Sequence, residues 1–193
     1  MLRRLYEWVL HWAETPYGTW ALFILALAES SFFPIPPDVL LIALAISIPA
    51  KAFRYALVCT AGSLVGGVIG YLIGYQFMEV IGFRIIRFYD LMEMYRSVGD
   101  LYNHYNALAV GIAGFTPIPY KVFTISAGAF KINFPVFIIA SALSRAARFF
   151  LVGWLIYRFG PGIRSFIDRY FNTLAVVFVL LLVGGFVLIK WLL

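Results

Sequence analysis

The stretch Phe33-Pro34-Ile35-Pro36-Pro37-Asp38 divides an apolar region into two pieces that are each too short to cross a membrane. Residues 15–28 are uncharged, and residues 39–50 are again uncharged up to Lys51. About a dozen helical residues cover about 18 Å, whereas the hydrocarbon core is about 30 Å thick. Because proline ends helices, we predict a re-entrant hairpin over residues 18–50 that turns at Pro34, Pro36 and Pro37 and leaves on the side where it entered.

The same pattern returns later in the chain. An uncharged run ends at the turn Thr116-Pro117-Ile118-Pro119-Tyr120-Lys121, and a short apolar segment precedes Lys131. We predict a second re-entrant hairpin over residues 107–130, with Pro117 and Pro119 in its turn. The two turns lie about 80 positions apart, as do Tyr75-Gln76-Phe77 and Tyr157-Arg158-Phe159, so the chain contains an internal repeat.

Longer apolar segments complete the architecture. Residues 55–78 and 170–190 are predicted to be transmembrane helices, and residues 132–158 a third that carries two arginines near its middle. Repeat 1 is residues 18–78 and repeat 2 is residues 107–159. Two amphipathic segments, residues 1–17 and the connector 79–106, are predicted to lie on the membrane surface.

Each repeat combines a hairpin with one crossing helix and therefore crosses the membrane once. After this odd number of crossings the second repeat begins on the opposite side of the membrane. The repeats are therefore predicted to be inverted, with their proline turns meeting near the midplane. The predicted fold class is an all-α polytopic membrane protein. Transporters bind their substrates at this place.

Composition supports a membrane protein and excludes a soluble enzyme. The chain is 63% hydrophobic and 12% charged, with a mean hydropathy of +0.93. Its net charge of +6 is assigned to the cytoplasmic lipid surface or an anionic head group rather than to nucleic acid. A single cysteine, Cys59, and two histidines, His11 and His104, predict no metal site and no cofactor.

Five ionisable residues are predicted to lie at depth in the membrane, where a charge costs at least about 2.5–3.5 kcal/mol. Glu29 and Asp38 flank the first turn and are candidate gating or proton-carrying acids. Lys121, Arg145 and Arg148 are the cations of the second repeat and are candidates to bind a phosphate head group. By the repeat offset, Asp38 corresponds to Lys121. A closed state could pair the acids with the bases, and an open state could release the bases.

Two simpler interpretations stand beside these. The same charges could form structural ion pairs that hold the hairpins together, or they could lie nearer the interface, as Lys121 could by snorkelling. The ridge Gly62, Gly66, Gly70 and Gly74 is best explained by close helix packing.

Taken together, these motifs resemble the DedA family, also called the VTT or SNARE-associated domain family. The resemblance rests on Glu29–Asp38, on the glycine-rich helix, on Gly114–Lys121 and on the helix with Arg145 and Arg148, and it covers residues 20–159. The family's usual Gly-Glu after Pro-Ile-Pro is here Pro37-Asp38. Its arginine after the glycine is here Phe115, which leaves Arg145 or Arg148 to replace that guanidinium.

The resemblance implies a bacterial inner-membrane protein that translocates or scrambles an anionic lipid, either undecaprenyl phosphate or phospholipid, with proton coupling in some members. Membrane lipids and protons are the implied partners, and an oligomer is left open. The alternatives are a lipid-phosphate phosphatase or phosphotransferase and a non-transporting membrane organiser. The first would need a nucleophile or metal that the sequence does not offer.

Overall fold

The computed structural model describes residues 17–32, 36–116 and 119–160, and every regular element in these ranges is helical. The helices are α1 (Gly18–Ser31), α2 (Asp38–Ser47), α3 (Ala52–Phe77), α4 (Phe83–Phe88), α5 (Met92–His104), α6 (Asn106–Phe115), α7 (Tyr120–Ala129) and α8 (Phe134–Gly160). The all-helical class is therefore confirmed for the described part. The predicted helix over 1–17, apart from Tyr17, the tips at Pro34 and Pro117 and the helix over 170–190 lie outside the described residues.

Within the described residues, two helices are long and apolar enough to cross a membrane. The first is continuous from Pro49 to Phe88 through a 3₁₀ turn (Pro49–Lys51), α3, a π-helical turn (Met78–Gly82) and α4, and it has 40 residues. The second is α8, with 27 residues. At 1.5 Å per residue they measure about 60 and 40 Å, more than the hydrocarbon core requires.

The two long helices run antiparallel. Near the start of α3, the Phe53 ring lies 5.4 Å from the Tyr157 ring at the end of α8. Near the other end of α3, the Tyr71 ring lies 5.1 Å from the ring of Phe134, where α8 begins. Inverted repeats require this antiparallel arrangement of their crossing helices.

A ridge of glycines on α3 receives a helix from each hairpin. The ridge consists of Gly62, Gly66, Gly70 and Gly74, which are all buried. A methyl group added at Gly62 would lie 2.5 Å from the Phe23 carbonyl oxygen of α1, and one added at Gly74 would overlap the Ile125 carbonyl of α7. The missing side chains therefore let two helices approach the α3 backbone, as predicted for small-residue ridges.

The ends of the short helices meet in the middle of the molecule. Both α1 and α7 run along α3 in the same direction as α3, and the Thr124 hydroxyl of α7 donates to the Ser30 carbonyl of α1 at 3.1 Å. Helix α2 returns to the start of α3, where Leu44 and Ala52 share one apolar cluster. The bilayer position of the hairpins, and with it their re-entrant character, stays a prediction.

The connector is tied to the second hairpin by tyrosine hydroxyls. Tyr95 of α5 donates to the Ala129 carbonyl at 2.7 Å, and Tyr102 donates to the Phe123 carbonyl at 3.0 Å. Burial raises the pKa of the Tyr102 hydroxyl, so it remains a donor at neutral pH. Beside them, Lys131 forms an exposed ion pair with Glu79, which lies in the π-helical turn.

Candidate functional site

Arg145 lies at the centre of a buried polar cluster between the two repeats. Its guanidinium donates to the Glu29 carboxylate at 2.6 Å, and its side chain is 3% exposed against 15% for Glu29. Its Nε also donates to the Ser63 hydroxyl at 2.6 Å. The Ser30 hydroxyl lies 2.7 Å from the Ser63 hydroxyl, so α1, α3 and α8 share one network.

Two aromatic rings complete the surroundings of this guanidinium. The ring centres of Tyr120 and Phe149 lie 4.8 and 4.7 Å from its central carbon, within the range of cation–π attraction. The Tyr120 hydroxyl donates to the Ser141 hydroxyl at 2.5 Å. Arg145 is therefore held by a carboxylate, by hydroxyls and by ring faces, which compensate for its removal from water.

Arg148 connects the residues that flank the two proline turns. Its Nε and one terminal nitrogen donate to both oxygens of Asp38, at 3.2 and 2.9 Å. The other terminal nitrogen donates to the Thr116 carbonyl at 2.6 Å. Asp38 begins α2 directly after Pro37, and Thr116 follows α6 directly before Pro117. One side chain thus bridges the exit of the first turn and the entrance of the second.

The two ion pairs differ in accessibility. The Arg148 side chain is 16% exposed, about five times the exposed fraction of Arg145, and its partner Asp38 is 19% exposed. In addition, α2 places Asp38 in its first turn, where the helix dipole favours a negative charge. A ligand from outside would reach the Asp38–Arg148 pair before the Glu29–Arg145 pair.

Lys121 does not join either pair. It lies in the first turn of α7 and is partly exposed, and it has no ion-pair partner among the described residues. The structure therefore pairs Asp38 with Arg148 and not with Lys121, its counterpart by the repeat offset. The reason is geometric, because α8 passes between the hairpins and presents Arg145 and Arg148 to both.

Several residues of the cluster were not predicted from the sequence as site residues. They are polar or aromatic groups on the neighbouring helices: Ser30, Ser63, Thr116, Tyr120, Ser141 and Phe149. Ser30 follows a predicted site residue directly, and Ser63 is the hydroxyl beside the glycine ridge. Thr116, Tyr120 and Phe149 likewise stand directly beside predicted site residues. Adjacency was therefore the available signal, but it does not reveal the aromatic contacts with Arg145, since aromatic residues are common along this chain.

The fold and the site define a class of helical membrane protein in which two arginines of one long helix, Arg145 and Arg148, join two helical hairpins. A family model described as the VTT domain matches residues 33–158. The chain belongs to this family, the DedA family.

Relatives occur in bacteria and an archaeon, and each is described as uncharacterized. A protein of Haemophilus influenzae is 35% identical over 151 residues, 78% of both chains. One of Histophilus somni is 34% identical over 168 residues, 85% of this chain and 87% of the relative. One of Methanocaldococcus jannaschii is 28% identical over 132 residues, 68% of this chain and 79% of the relative. No solved structure matches the chain.

Proposed function

We propose that the protein moves an anionic lipid across the membrane by exchanging an ion pair between the hairpins for the lipid's phosphate. The observation that carries the proposal is the position of Arg148, which joins Asp38 beside one proline turn to the Thr116 carbonyl beside the other. A guanidinium that binds a carboxylate through two N–H groups binds a phosphate in the same way. Phosphate therefore competes with Asp38 for Arg148.

The proposal divides the three cations by role. Arg148 is accessible and Lys121 has no ion-pair partner in the described ranges, so these two hold the phosphate. Arg145 is buried between five polar or aromatic neighbours and holds α1 against α8 while the phosphate is bound. Arginine supplies the forked contact and lysine adds a point charge.

A proton completes the exchange. When Arg148 turns to the phosphate, Asp38 loses its cation in a region of low dielectric constant. Uptake of a proton then removes the cost of a buried, unpaired carboxylate. Glu29 would take up a proton only if Arg145 also moved away from it. The burial of Arg145 opposes that movement. Transport coupled to a proton gradient is expected to depend on Asp38 first.

The same proposal makes both hairpins re-entrant in a bacterial inner membrane and makes the protein a multi-pass transporter rather than an enzyme. Helices α1, α2, α6 and α7 have 14, 10, 10 and 10 residues, so each is too short to span the core alone. Their ends converge where the arginines lie. A hydrophilic break at this depth would let a head group pass while its hydrocarbon chains stay in lipid.

The proposal is tested by movement of fluorescent phosphatidic acid and of a polyprenyl phosphate in vesicles that contain the full chain, with and without a pH gradient. Lys121→Ala is expected to slow movement about tenfold, the effect of losing one charge-assisted hydrogen bond. Lys51→Ala, which removes an exposed lysine at the end of the molecule, is the matched control and is expected to have no effect. Absence of movement of both lipids in the parent protein would refute the proposal.

A non-transporting organiser is the second candidate. Among the described residues, every buried side-chain nitrogen and oxygen has a hydrogen-bond partner, as a purely structural cluster requires. If the protein is such an organiser, Lys121→Ala is expected to change neither the phenotype of cells that express it nor the stability of the protein, because Lys121 has no ion-pair partner among these residues.

A further inference from the structure

A groove of about 560 Å³ lies between α6 and α8 and opens to the outside of the described structure. Two rows of residues spaced four apart, which share one face of a helix, line it, and Ile139 and Leu143 complete the wall on α8. The rows are Ala107, Gly111 and Phe115 on α6, and Val136, Ala140 and Ser144 on α8. A methyl group added at Gly111 would meet no atom within 4 Å, so the missing side chain leaves this part of the groove open.

Both rows lead to Arg148. The residue four positions after Ser144 on α8 is Arg148, which lies on the same face. On α6 the row ends at Phe115, and the carbonyl of the next residue, Thr116, accepts the 2.6 Å hydrogen bond from Arg148. The inner end of the groove therefore lies beside the accessible cation of the site.

The lining of the groove suits a hydrocarbon chain. Apart from Ser144, the residues that line it are apolar, and the Ser144 hydroxyl already donates to the Ala140 carbonyl at 2.7 Å. The side chains of the groove therefore offer no free hydrogen-bond donor to a ligand. Its volume falls within the range of about 300–1,000 Å³ that is typical of small-molecule sites.

We propose that this groove holds one hydrocarbon chain of the anionic lipid whose phosphate binds at Arg148. The inference rests on the proposed function and adds a chain-binding subsite to it. The groove and Arg148 together are complementary to such a lipid. The cation lies at the inner end, an apolar channel leads away from it, and membrane-length α8 forms one wall. The phosphate end of the chain lies toward Ser144, and the far end lies toward Ala107 and Val136.

The test uses phosphatidic acid with a diazirine at one of two positions in an acyl chain, near the glycerol or near the chain end. The probe is photolysed in phosphatidylcholine vesicles that contain the full chain, and adducts are mapped by peptide mass spectrometry. The proximal diazirine is expected to label around Phe115 and Ser144, and the distal one around Ala107 and Val136. The reverse order would describe a lipid of the surrounding leaflet and would overturn the proposal.

A matched pair of substitutions on α8 tests the groove itself. Ala140→Leu fills it, whereas Ala147→Leu adds the same atoms at an exposed position that does not line it. Ala140→Leu is expected to lower groove labelling about tenfold, since it displaces roughly two buried methylenes of the chain. Ala147→Leu is expected to label like the parent. Equal labelling of both variants would refute the proposal.

The outcomes also separate this inference from the proposed function. Lipid movement without adducts in the groove would support the proposed function but refute the chain-binding subsite. Adducts in the expected order without lipid movement would support the subsite but refute the proposed function. Two alternative occupants of the groove are tested separately: residues 170–189 of this chain and a second copy of the protein. A disulfide formed in high yield between a cysteine at Gly111 and one in 170–189, or between two copies at Gly111, would refute the proposal.

Discussion

Ser63 and Arg145 lie 82 positions apart, at equivalent places by the repeat predicted from the sequence, and are joined by a hydrogen bond of 2.6 Å. Because α3 and α8 run antiparallel, equivalent residues in contact mark the axis that relates the repeats. The sequence is not symmetric at this axis, since one repeat supplies a hydroxyl and the other a guanidinium. This difference gives the centre of the molecule one buried cation, which Glu29 pairs.

The first prediction concerns that hydrogen bond. Ser63→Ala removes an acceptor from the buried Arg145 Nε and is expected to lower the free energy of unfolding by about 1–3 kcal/mol. The measurement is thermal or denaturant unfolding in detergent micelles. Ser47→Ala is the control, because the Ser47 hydroxyl only returns to its own helix at an exposed position. An equal effect at both serines would contradict the central role of Ser63.

The second prediction compares the two arginines. Arg145→Met leaves Glu29 unpaired in the interior and is expected to destabilise the fold by about 3–5 kcal/mol. Arg148→Met is expected to cost less, because the Arg148 side chain is 16% exposed against 3% for Arg145 and has fewer polar and aromatic neighbours to lose. Adding Glu29→Gln to Arg145→Met should recover most of the loss. Unfolding of the three variants in micelles checks the order, and a larger cost at Arg148 would contradict it.

The third prediction separates phosphate binding at Arg148 from a purely structural ion pair. The double variant Asp38→Arg, Arg148→Asp restores opposite charges at one contact but moves the cation away from Thr116. It is expected to insert and fold like the parent protein, yet to translocate lipid at least about tenfold more slowly, since the forked phosphate contact is displaced. Full recovery of transport would show that the pair has only a structural role and would contradict phosphate binding at Arg148.

The charged residues of the site could be predicted from the sequence, but the ion pairs that they form could not. Uncharged segment lengths and prolines predicted where the helices break, because both effects are local. The pairing of Asp38 with Arg148 depends on the rotation of α8 between the hairpins, and the repeat offset alone suggested Lys121. The continuation of the first long helix to Phe88 also depends on a π-helical turn at Met78–Gly82, for which the sequence gives no clear signal.

The fourth prediction concerns the glycine ridge. Gly66→Ala and Gly74→Ala place a methyl group against the backbone of α1 and of α7, and each is expected to cost about 1–3 kcal/mol. Gly111→Ala is the matched control, because its methyl group meets no atom within 4 Å. At Gly111 the higher helix propensity of alanine should raise the free energy of unfolding by about 0.5–1 kcal/mol. Unfolding in micelles measures all three, and a neutral Gly74→Ala would contradict the close contact with α7.

The fifth prediction uses the exposed pair at the end of α3. The hydrogen bond that Lys131 donates to the Glu79 carboxylate raises the pKa of Lys131 above its ordinary value of 10.5. A basic group whose pKa rises on folding contributes stability that is complete below the ordinary value and is lost only as the pH climbs through the raised one. The contribution of Lys131 protonation is therefore constant between about pH 6 and 9.

Lys131→Met is accordingly expected to change the amount of lipid movement without changing the shape of its pH profile in that range. The measurement is transport in vesicles at a series of pH values, for the variant and for the parent. A profile displaced along the pH axis would show that the connector takes part in proton coupling. An unchanged shape would leave that coupling to the acids beside the proline turn, where we propose that Arg148 exchanges Asp38 for a phosphate.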